Sequence, residues 1–532
     1  MLHISKKSFS AVAGLLLLPL LMRAQEGSYD MEFVKMTNPW LVSSNMSGLF
    51  LMPVDRISIA GAGFHKENGG LVSSDMSDDS YGAGVSTESF VKVSDKLSFY
   101  GKLSYDYFHG KNMGGSVFTD AFHSPLNIVE YSDTTAGVKN KEDYNIAGGL
   151  SLRLGKKWSI GVKADYLTGN YAKRKDPRFS NSVMNLDLGA GAAWQASDKF
   201  TAGINAIYTK KIEAVEAGIY GTTDKQYYSL VDYGGYFGTR ELLNNLSGFL
   251  LLKSHRLLVN HYYGGSLQLD FSGNNDFFNE ITVLYRDGYY GKRTSTTPVF
   301  TEHGGMVFKY SGTYLIHGRR VLHRIGIDAG YETIGNDKNV FKENYVPGES
   351  TKVEYGGKNE VLDRQDVNAS VSYTGYAGTE GKLPVWEFGS AITLFNRTQT
   401  ATVYPFCRDQ DLLTYALDMN VYRNIIRGKN IYGLGLDVRL RSGSGTKNED
   451  YTIASSTSSK PAVQDTYLDR DYEYRVATGA VNRLIFKYMR EFNKNIAGYV
   501  SLSGTADYLF SSPEYLPGRA RSVLEITFGC VF

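Results

Sequence analysis

Long stretches of this chain alternate apolar and polar residues with a period of two. From Trp158 to Tyr166, the residues Trp158, Ile160, Val162, Ala164 and Tyr166 share one face, and Ser159, Gly161, Lys163 and Asp165 share the other. Met184 to Gln195 sets Met184, Leu186, Leu188, Ala190, Ala192 and Trp194 against Asn185, Asp187, Gly189, Gly191 and Gln195. Tyr432 to Arg441 sets Tyr432, Leu434, Leu436, Val438 and Leu440 against Gly433, Gly435, Asp437, Arg439 and Arg441. At the end of the chain Leu524, Ile526, Phe528, Cys530 and Phe532 oppose Arg521, Glu525, Thr527 and Gly529. Period two is the pattern of a strand with unlike faces. Such segments run about ten to fourteen residues, the length a tilted strand needs to cross a hydrocarbon layer.

Alternation alone also fits a soluble sandwich with one wet face, so the connections carry the next step. Short polar ones, Ser94-Asp95-Lys96, Gly155-Lys156-Lys157, Ser197-Asp198-Lys199, Gly428-Lys429-Asn430 and Asn493-Lys494-Asn495, alternate with longer intervals. The long intervals are read as His109 to Glu142, Gly169 to Val183, Ile212 to Arg256, Gly335 to Arg364 and Ser442 to Glu473. Short turns on one rim and long loops on the other give the sidedness of an outer-membrane β-barrel, with the short turns periplasmic. Trp158, Trp194 and Trp386 fall beside short connections, as a periplasmic aromatic girdle requires, while Tyr105, Tyr107, Tyr166 and Tyr508 sit at the opposite strand ends.

Strands are predicted to begin near Arg56, Tyr81, Leu97, Asp143, Trp158, Met184, Thr201, Leu258, Glu280, Val299, Leu322, Asp366, Val385, Thr414, Ile431, Tyr474, Ile496 and Arg519. The fold class is all-β: a transmembrane antiparallel up-and-down barrel of about 18 strands. The segments at Glu280 and Tyr474 alternate poorly, so counts of about 14 or 16 also fit.

Composition narrows the class. Lys6 and Lys7 precede an apolar run, Ala11 to Leu21, and then Met22-Arg23-Ala24-Gln25, the order of a secretory signal peptide cleaved after Ala24. No second long apolar stretch follows and mean hydropathy is negative, which excludes a helical inner-membrane protein. The formal net charge of +2 gives no reason to expect a nucleic-acid partner. The two cysteines, Cys407 and Cys530, fall toward opposite rims and cannot bridge. The expected organisation is a signal peptide (1–24), an N-terminal luminal, plug-like segment (25–54) and the barrel (55–532).

The luminal segment mixes turn formers with apolar groups, Phe33, Met36, Trp40, Leu41, Leu49, Phe50 and Leu51, that need shelter from water. Asn38, Pro39, Trp40, Asn45 and Leu49 are the plug candidates. Asn38-Pro39 followed by Asn45-Met46-Ser47-Gly48-Leu49 resembles the N-terminal motif of fatty-acid-transporter-like (FadL-like) barrels, which implies a lumen-plugging N-terminus and a path for hydrophobic ligands. Trp40 departs from that motif where a small residue is expected, and Met46 and Ser47 interrupt its run. Over the whole mature chain, Trp40-Leu41-Val42-Ser43-Ser44-Asn45, Gly61 and His65-Lys66-Glu67-Asn68-Gly69-Gly70 are similar to an uncharacterised outer-membrane β-barrel family of unknown function. About thirty residues before the first strand are too few for the plug domain of a TonB-dependent receptor.

Inward faces are predicted to carry both charges, with Lys163, Asp165, Asp187, Asp437, Arg439, Arg441, Arg521 and Glu525 as lumen-lining candidates. Arg439 and Arg441 beside Asp437 form the cluster to test first. Phe528 and Phe532 are expected to form the terminal assembly signal. No catalytic set emerges: the nine histidines are scattered, and Asp106 and His109 fall on opposite faces. Cofactors and metals are therefore expected to be none, and the protein is not expected to be an enzyme. The tyrosines from Gln226 to Tyr236 are read as an outer girdle continued into a loop, or as a stacking surface for sugars or a protein.

The expected function is a porin-like channel or transporter-like barrel in the cell outer membrane, for an unidentified solute. The alternative is a non-transporting surface barrel that docks a protein partner or secretion component through its loops. Outer-membrane lipid and the barrel-assembly machinery are the expected partners, with a surface protein added under the alternative.

Overall fold

The computed structural model describes residues 30–532 except 223, 246–247, 295–296, 345–351, 380–382, 456 and 494–495. The expected signal peptide lies outside the described residues.

Eighteen strands form one antiparallel wall: β1 (Arg56–Gly69), β2 (Asp79–Ser94), β3 (Leu97–Met113), β5 (Gly137–Leu154), β6 (Trp158–Lys173), β7 (Arg178–Ser197), β8 (Phe200–Gly218), β11 (Arg256–Phe271), β12 (Asn275–Thr294), β13 (Thr297–His317), β14 (Val321–Asn344), β15 (Lys352–Ala377), β16 (Trp386–Val403), β17 (Phe406–Arg427), β18 (Asn430–Thr452), β20 (Gly479–Asn493), β21 (Ile496–Leu509) and β22 (Ala520–Val531). Each pairs with its neighbour, and β22 returns to β1 through Ile59↔Val531 to Gly69↔Arg521, closing the barrel. Strands β4 (Asn127–Glu130), β9 (Tyr228–Gly234), β10 (Phe237–Leu242) and β19 (Ala462–Val463) form a separate four-stranded sheet. Among the predicted strand starts, Tyr474 falls in a helix and Val385 and Arg519 lie one residue before β16 and β22; the others fall on wall strands, and the counts of 14 and 16 are set aside.

Closure removes the unpaired edges that lipid cannot satisfy. The two faces separate as the alternation requires. Trp158, Ile160 and Val162 are exposed on the outside, whereas Ser159 between them is fully buried on the inside. Trp158 pairs with Trp194 and the rings stack at 6.0 Å, while the Arg423 guanidinium lies 4.8 Å from the Trp386 ring. These contacts occupy the rim with the short connections, where an interfacial girdle belongs. With its lipid-facing apolar belt and closed wall, the protein is an outer-membrane β-barrel.

The long-loop reading needs correction. β6 and β7 continue to Lys173 and from Arg178, so Gly169 to Val183 is mostly strand. β14 runs to Asn344 and β15 starts at Lys352, so Gly335 to Arg364 is also mostly strand. Above the bilayer both faces of a strand contact polar surroundings, so the apolar alternation fades although the hydrogen-bonded ladder continues. The segment expected as strand from Tyr474 begins at Gly479 instead, preceded by a helix, α2 (Asp465–Val476). Among the described residues, no helix is long and apolar enough to cross a membrane.

Candidate functional site

The lumen holds two inserts. The first starts with a helix, α1 (Met31–Met36), capped by the Asp30 side chain, which accepts from the Glu32 and Phe33 N–H groups. Short 3-10 turns follow at Pro39–Leu41 and Met46–Leu51. Their apolar side chains, Val34, Leu41, Met46, Leu49 and Met52, cluster with Ile57 and Phe90 on the wall.

Polar contacts fix this segment. Asn45 is fully buried, and its Nδ2 donates to Gln268 Oε1 at 2.8 Å, Ile204 O at 3.2 Å and Ala192 O at 3.3 Å. Its Oδ1 accepts from Ser47 N at 3.0 Å and Ser47 Oγ at 2.7 Å. The Ser47 carbonyl accepts from Ser159 Oγ at 2.7 Å and Ser151 Oγ at 3.1 Å. Trp40 donates from Nε1 to Asp270 Oδ2 at 2.8 Å and meets Phe278 edge-on at 5.2 Å. Ser44 Oγ donates to Glu280, and Lys35 pairs with Glu88 at 3.1 Å. Among the plug candidates, Asn38 reaches the Leu51 carbonyl at 3.4 Å, Pro39 opens the first 3-10 turn, and Leu49 is 1 % exposed.

Small residues in the wall make this fit possible. A Cβ at Gly161 would lie 2.3 Å from Ser47 N, and one at Gly191 would lie 2.3 Å from Asn45 Oδ1. Either contact is too close for a packed side chain.

The second insert occupies the outer mouth. β9 pairs with both β4 and β10, and β10 with β19, so connections far apart in sequence build one small sheet. Its core, including Ile128, Val231, Tyr233 and Phe237, packs on inward wall residues Phe179, Val215, Leu258, Tyr290 and Phe300. Tyr236 meets Tyr467 of α2 at 6.0 Å, and its hydroxyl donates to Asp471. Tyr233 and Tyr236 are thus buried packing groups, neither an outer girdle nor a stacking surface.

Buried ions join the mouth assembly to the wall. Lys173 pairs with Glu130, both side chains 1 % exposed. Arg408 forks to Asp450 at 2.7 and 2.8 Å and reaches Asp465 at 2.9 Å. Arg364 donates to the Ser124 carbonyl at 2.9 Å, and Arg397 to the Phe122 carbonyl at 2.8 Å. Within the assembly, burial pushes the Asp75 carboxyl up to about 6, helped by the Asp471 charge. Burial also lifts Asp232 to about 6, against hydrogen bonds from the Gly234 and Phe237 N–H groups.

Space lined by both polar and apolar groups remains beside these inserts. A cavity of about 530 Å³ opens along β1, β2, β3, β5, β21 and β22, lined by His65, Asp106, Asp143 and Glu525. Another of about 520 Å³ opens along β14 to β18, β20 and β21, lined by Arg439, Arg441 and Asp507.

The predicted lumen-lining residues do not form one site. Lys163 lies 6.0 Å from the Tyr100 ring, Asp165 accepts from Asn145 at 2.6 Å, and Asp187 accepts from Thr209. Glu525 pairs with Arg483 at 2.8 Å, and Arg521 pairs with Glu67. The proposed cluster on β18 divides: Arg439 faces Asp418 at 3.7 Å, Arg441 binds Asp507 at 3.3 Å, and Asp437 contacts neither arginine through an ion pair. Phe528 points outward and is 56 % exposed. Phe532 exchanges backbone hydrogen bonds with Ser58 at 2.8 and 2.9 Å and lies under Arg56 at 5.4 Å.

His303 is buried in β13, with its Nε2 at 2.9 Å from Asn260 Oδ1. The two cysteines are free, with Cys407 buried. Among the described residues, no group of three or more His, Cys, Asp or Glu side chains could hold a metal ion. Sequence reasoning missed Phe122, Arg397 and Arg475, which meet in the mouth; the helical spacing of Tyr467, Leu468, Tyr472 and Arg475 was the available signal for α2.

A family model described as a family of unknown function (DUF6850) matches residues 46–532. The chain belongs to that family. DUF6850 membership spans the whole barrel and agrees with the resemblance to an uncharacterised barrel family. The match starts at Met46, so it gives no support to the FadL-like motif around Asn38-Pro39. No curated protein matches the chain.

Solved structures similar to this DUF6850 protein include the ferric preacinetobactin receptor BauA of Acinetobacter baumannii, at 8% identity and TM-score 0.34, covering 88% of this chain and 80% of that one. The outer-membrane transporter YddB of Escherichia coli matches at 7% identity and TM-score 0.38, with the same coverages of 88% and 80%. A deltaS2S3 mutant of the monoaromatic hydrocarbon channel TodX matches at 10% identity and TM-score 0.31, covering 96% of each chain. At such low scores no functional likeness follows.

Proposed function

We propose that this protein is a gated outer-membrane channel for a polar solute, with residues 25–54 as the periplasmic plug and the mouth assembly as an outer lid. The observation that carries this reading is the pair of cavities with charged side chains in their linings, about 520 and 530 Å³, left beside two inserts whose apolar packing on the wall is joined by hydrogen bonds and ion pairs. Water can replace the hydrogen bonds and ion pairs among these contacts when an insert lifts, which lowers the cost of opening. Charged walls of both signs favour a hydrophilic solute over a hydrocarbon. The lumen-lining residues named above are the wall of this path. The protein is not proposed to be an enzyme.

Planar-bilayer recording on the full mature barrel and on a variant lacking residues 26–54 tests this reading. Small, intermittent conductance is expected from the full barrel and a larger, steadier one from the deletion. Heat-modifiable migration on a gel checks that the deleted barrel still folds. Absence of conductance in both, with both folded, overturns the channel reading.

One feature favours the docking alternative. β15 pairs with β16 only from Leu362↔Ala401 onward, while it pairs with β14 back to Lys352, so residues 352–360 rise as a ribbon with one unpaired edge. Such an edge can receive an extended strand from another protein. Stable co-purification of a second protein, lost when residues 341–356 are replaced by a short turn, would support that role.

A further inference from the structure

The cavity on the β14 to β21 side is lined by three guanidinium groups, Arg439, Arg441 and Arg475. Their local partners differ. Arg441 is engaged, donating to the Tyr474 carbonyl at 2.9 Å and to Asp507 at 3.3 and 3.4 Å. Arg439 lies 3.7 Å from Asp418, beyond hydrogen-bond reach, with its side chain 49% exposed. Arg475, in the last turn of α2, makes no hydrogen bond or ion pair among the described residues. Its guanidinium carbon lies 3.6 Å from the centre of the Phe122 ring.

Phe122 carries a second cation on it, because Arg397 stacks at 3.7 Å. Arg397 has its counter-ion: Asp366 accepts two bonds from it, each of 2.7 Å. Arg475 has none. Asp471, one helical turn before it, accepts from the Ser74 N–H at 2.7 Å and from the Tyr236 hydroxyl. Burial lowers the Arg475 pKa from its ordinary value, with Asp471 opposing and Arg397 adding to the shift. The acids that line the same cavity are Asp507, held by Arg441, and Asp328, which accepts from Ser311 at 2.7 Å.

A guanidinium on a phenyl face gains less than a charge-assisted fork to an oxyanion does. The wall around these arginines offers Ser370, Thr393 and Thr414, which suit hydroxyl groups. We propose that this cavity is a binding site for a polyhydroxylated solute carrying an oxyanion, a carboxylate or a phosphate, with Arg439 and Arg475 supplying the cations. The inference rests on the reading that a solute enters the lumen. It also couples occupancy to the mouth, because an oxyanion that draws Arg475 from Phe122 removes a contact between α2 and the loop that Arg364 and Arg397 clamp.

Calorimetric titration of the folded, full mature barrel with glucuronate, glucose 6-phosphate and glucose, at about 0.15 M salt, tests the site. At least one of the two anions is expected to bind about tenfold or more tightly than glucose, and the tighter one names the oxyanion. Arg439→Gln and Arg475→Gln are each expected to weaken that binding about fivefold or more, and Arg439→Lys to keep most of it. Heat-modifiable migration confirms that each variant is folded. Equal binding of all three sugars, no binding of either anion, or unchanged affinity in both glutamine variants overturns the proposal. A barrel that conducts in the bilayer yet binds neither anion refutes this site while leaving the channel reading intact.

Discussion

Asn45 donates to Gln268 Oε1 at 2.8 Å across the lumen wall, and Gln268 in turn donates to Glu280 at 3.1 Å and Ser266 at 2.6 Å. A residue of the N-terminal segment thereby completes a polar network belonging to β11 and β12. Asn45→Ala leaves Gln268 short of a donor and removes the cap on Ser47, at a cost of about 2–3 kcal/mol for the seated segment. Single-channel recording should show a higher open fraction for Asn45→Ala than for the parent, with unchanged heat-modifiable migration. An open fraction equal to that of the parent would show that Asn45 does not hold the segment.

Two glycines on neighbouring strands should respond oppositely to enlargement. Gly161 faces inward, where a Cβ would lie 2.3 Å from Ser47 N; Gly148 faces lipid, with nothing within 4 Å of its Cβ position. Gly161→Val therefore displaces the seated segment, while Gly148→Ala adds a methyl group to the lipid face at little cost. Proteolysis from the periplasmic side should cut residues 31–52 faster in the first variant only. Equal rates in both would count against the close packing of Ser47 on β6.

The wall was readable because each strand repeats a local rule. Trp158 to Tyr166 announces its faces with no knowledge of its neighbours, and most of the wall strands followed from such runs, whereas the poorly alternating segment at Tyr474 proved to be the end of a helix. The mouth assembly has no such local signal. Ile128 pairs with Val231, and Phe237 with Val463, so the small sheet exists only after distant connections meet. The N-terminal segment lies between these cases. Trp40 and Leu49 were legible as groups needing cover, but the partnership of Trp40 with Asp270, far along the chain, was not. Likewise, the shared strand of Arg439 and Arg441 concealed that their partners, Asp418 on β17 and Asp507 on β21, lie on different strands of the wall.

The mouth assembly should tighten on mild acidification. Asp75 and Asp232 both sit at about 6, above the ordinary 3.8, chiefly through burial. Asp75 is faced by Asp471, which adds to its rise, and by Lys139, Arg475 and the Ser116 N–H, which oppose it. Asp232 is faced by Arg408 and by the N–H groups of Gly234, Tyr236 and Phe237, all opposing. A carboxyl with a raised folded-state pKa binds its proton more readily when the assembly is closed, so closure gains stability as pH falls through about 6 and reaches its full gain below about 4. The gain is at most about 3 kcal/mol per group. Hydrogen exchange in residues 70–78 and 228–242 should slow between about pH 7.5 and about pH 5, after correction for intrinsic rates. Asp75→Asn should keep residues 70–78 slow at both values while the Asp232 response persists in 228–242, and a parent protein without pH dependence would contradict the assignment.

Lys173 and Glu130 form the most deeply buried ion pair in the mouth, joining the end of β6 to β4. The Lys173 Nζ also donates to the Pro177 carbonyl at 3.2 Å, and its ammonium lies 5.8 Å from the Phe179 ring. Glu130 has no equivalent reserve, because its Oε1 is buried without a hydrogen-bond partner. Removing the lysine strands a carboxylate in a dry site, which costs about 3–5 kcal/mol, whereas removing both charges together costs much less. Lys173→Met should therefore detach β4 and expose residues 114–136 to protease, with the barrel still migrating as a folded species. Lys173→Met combined with Glu130→Gln should restore most of the protection. If the double variant is cut as fast as the single one, the pair holds β4 through its shape and hydrogen bonds, and the buried charge is not what makes the single substitution severe.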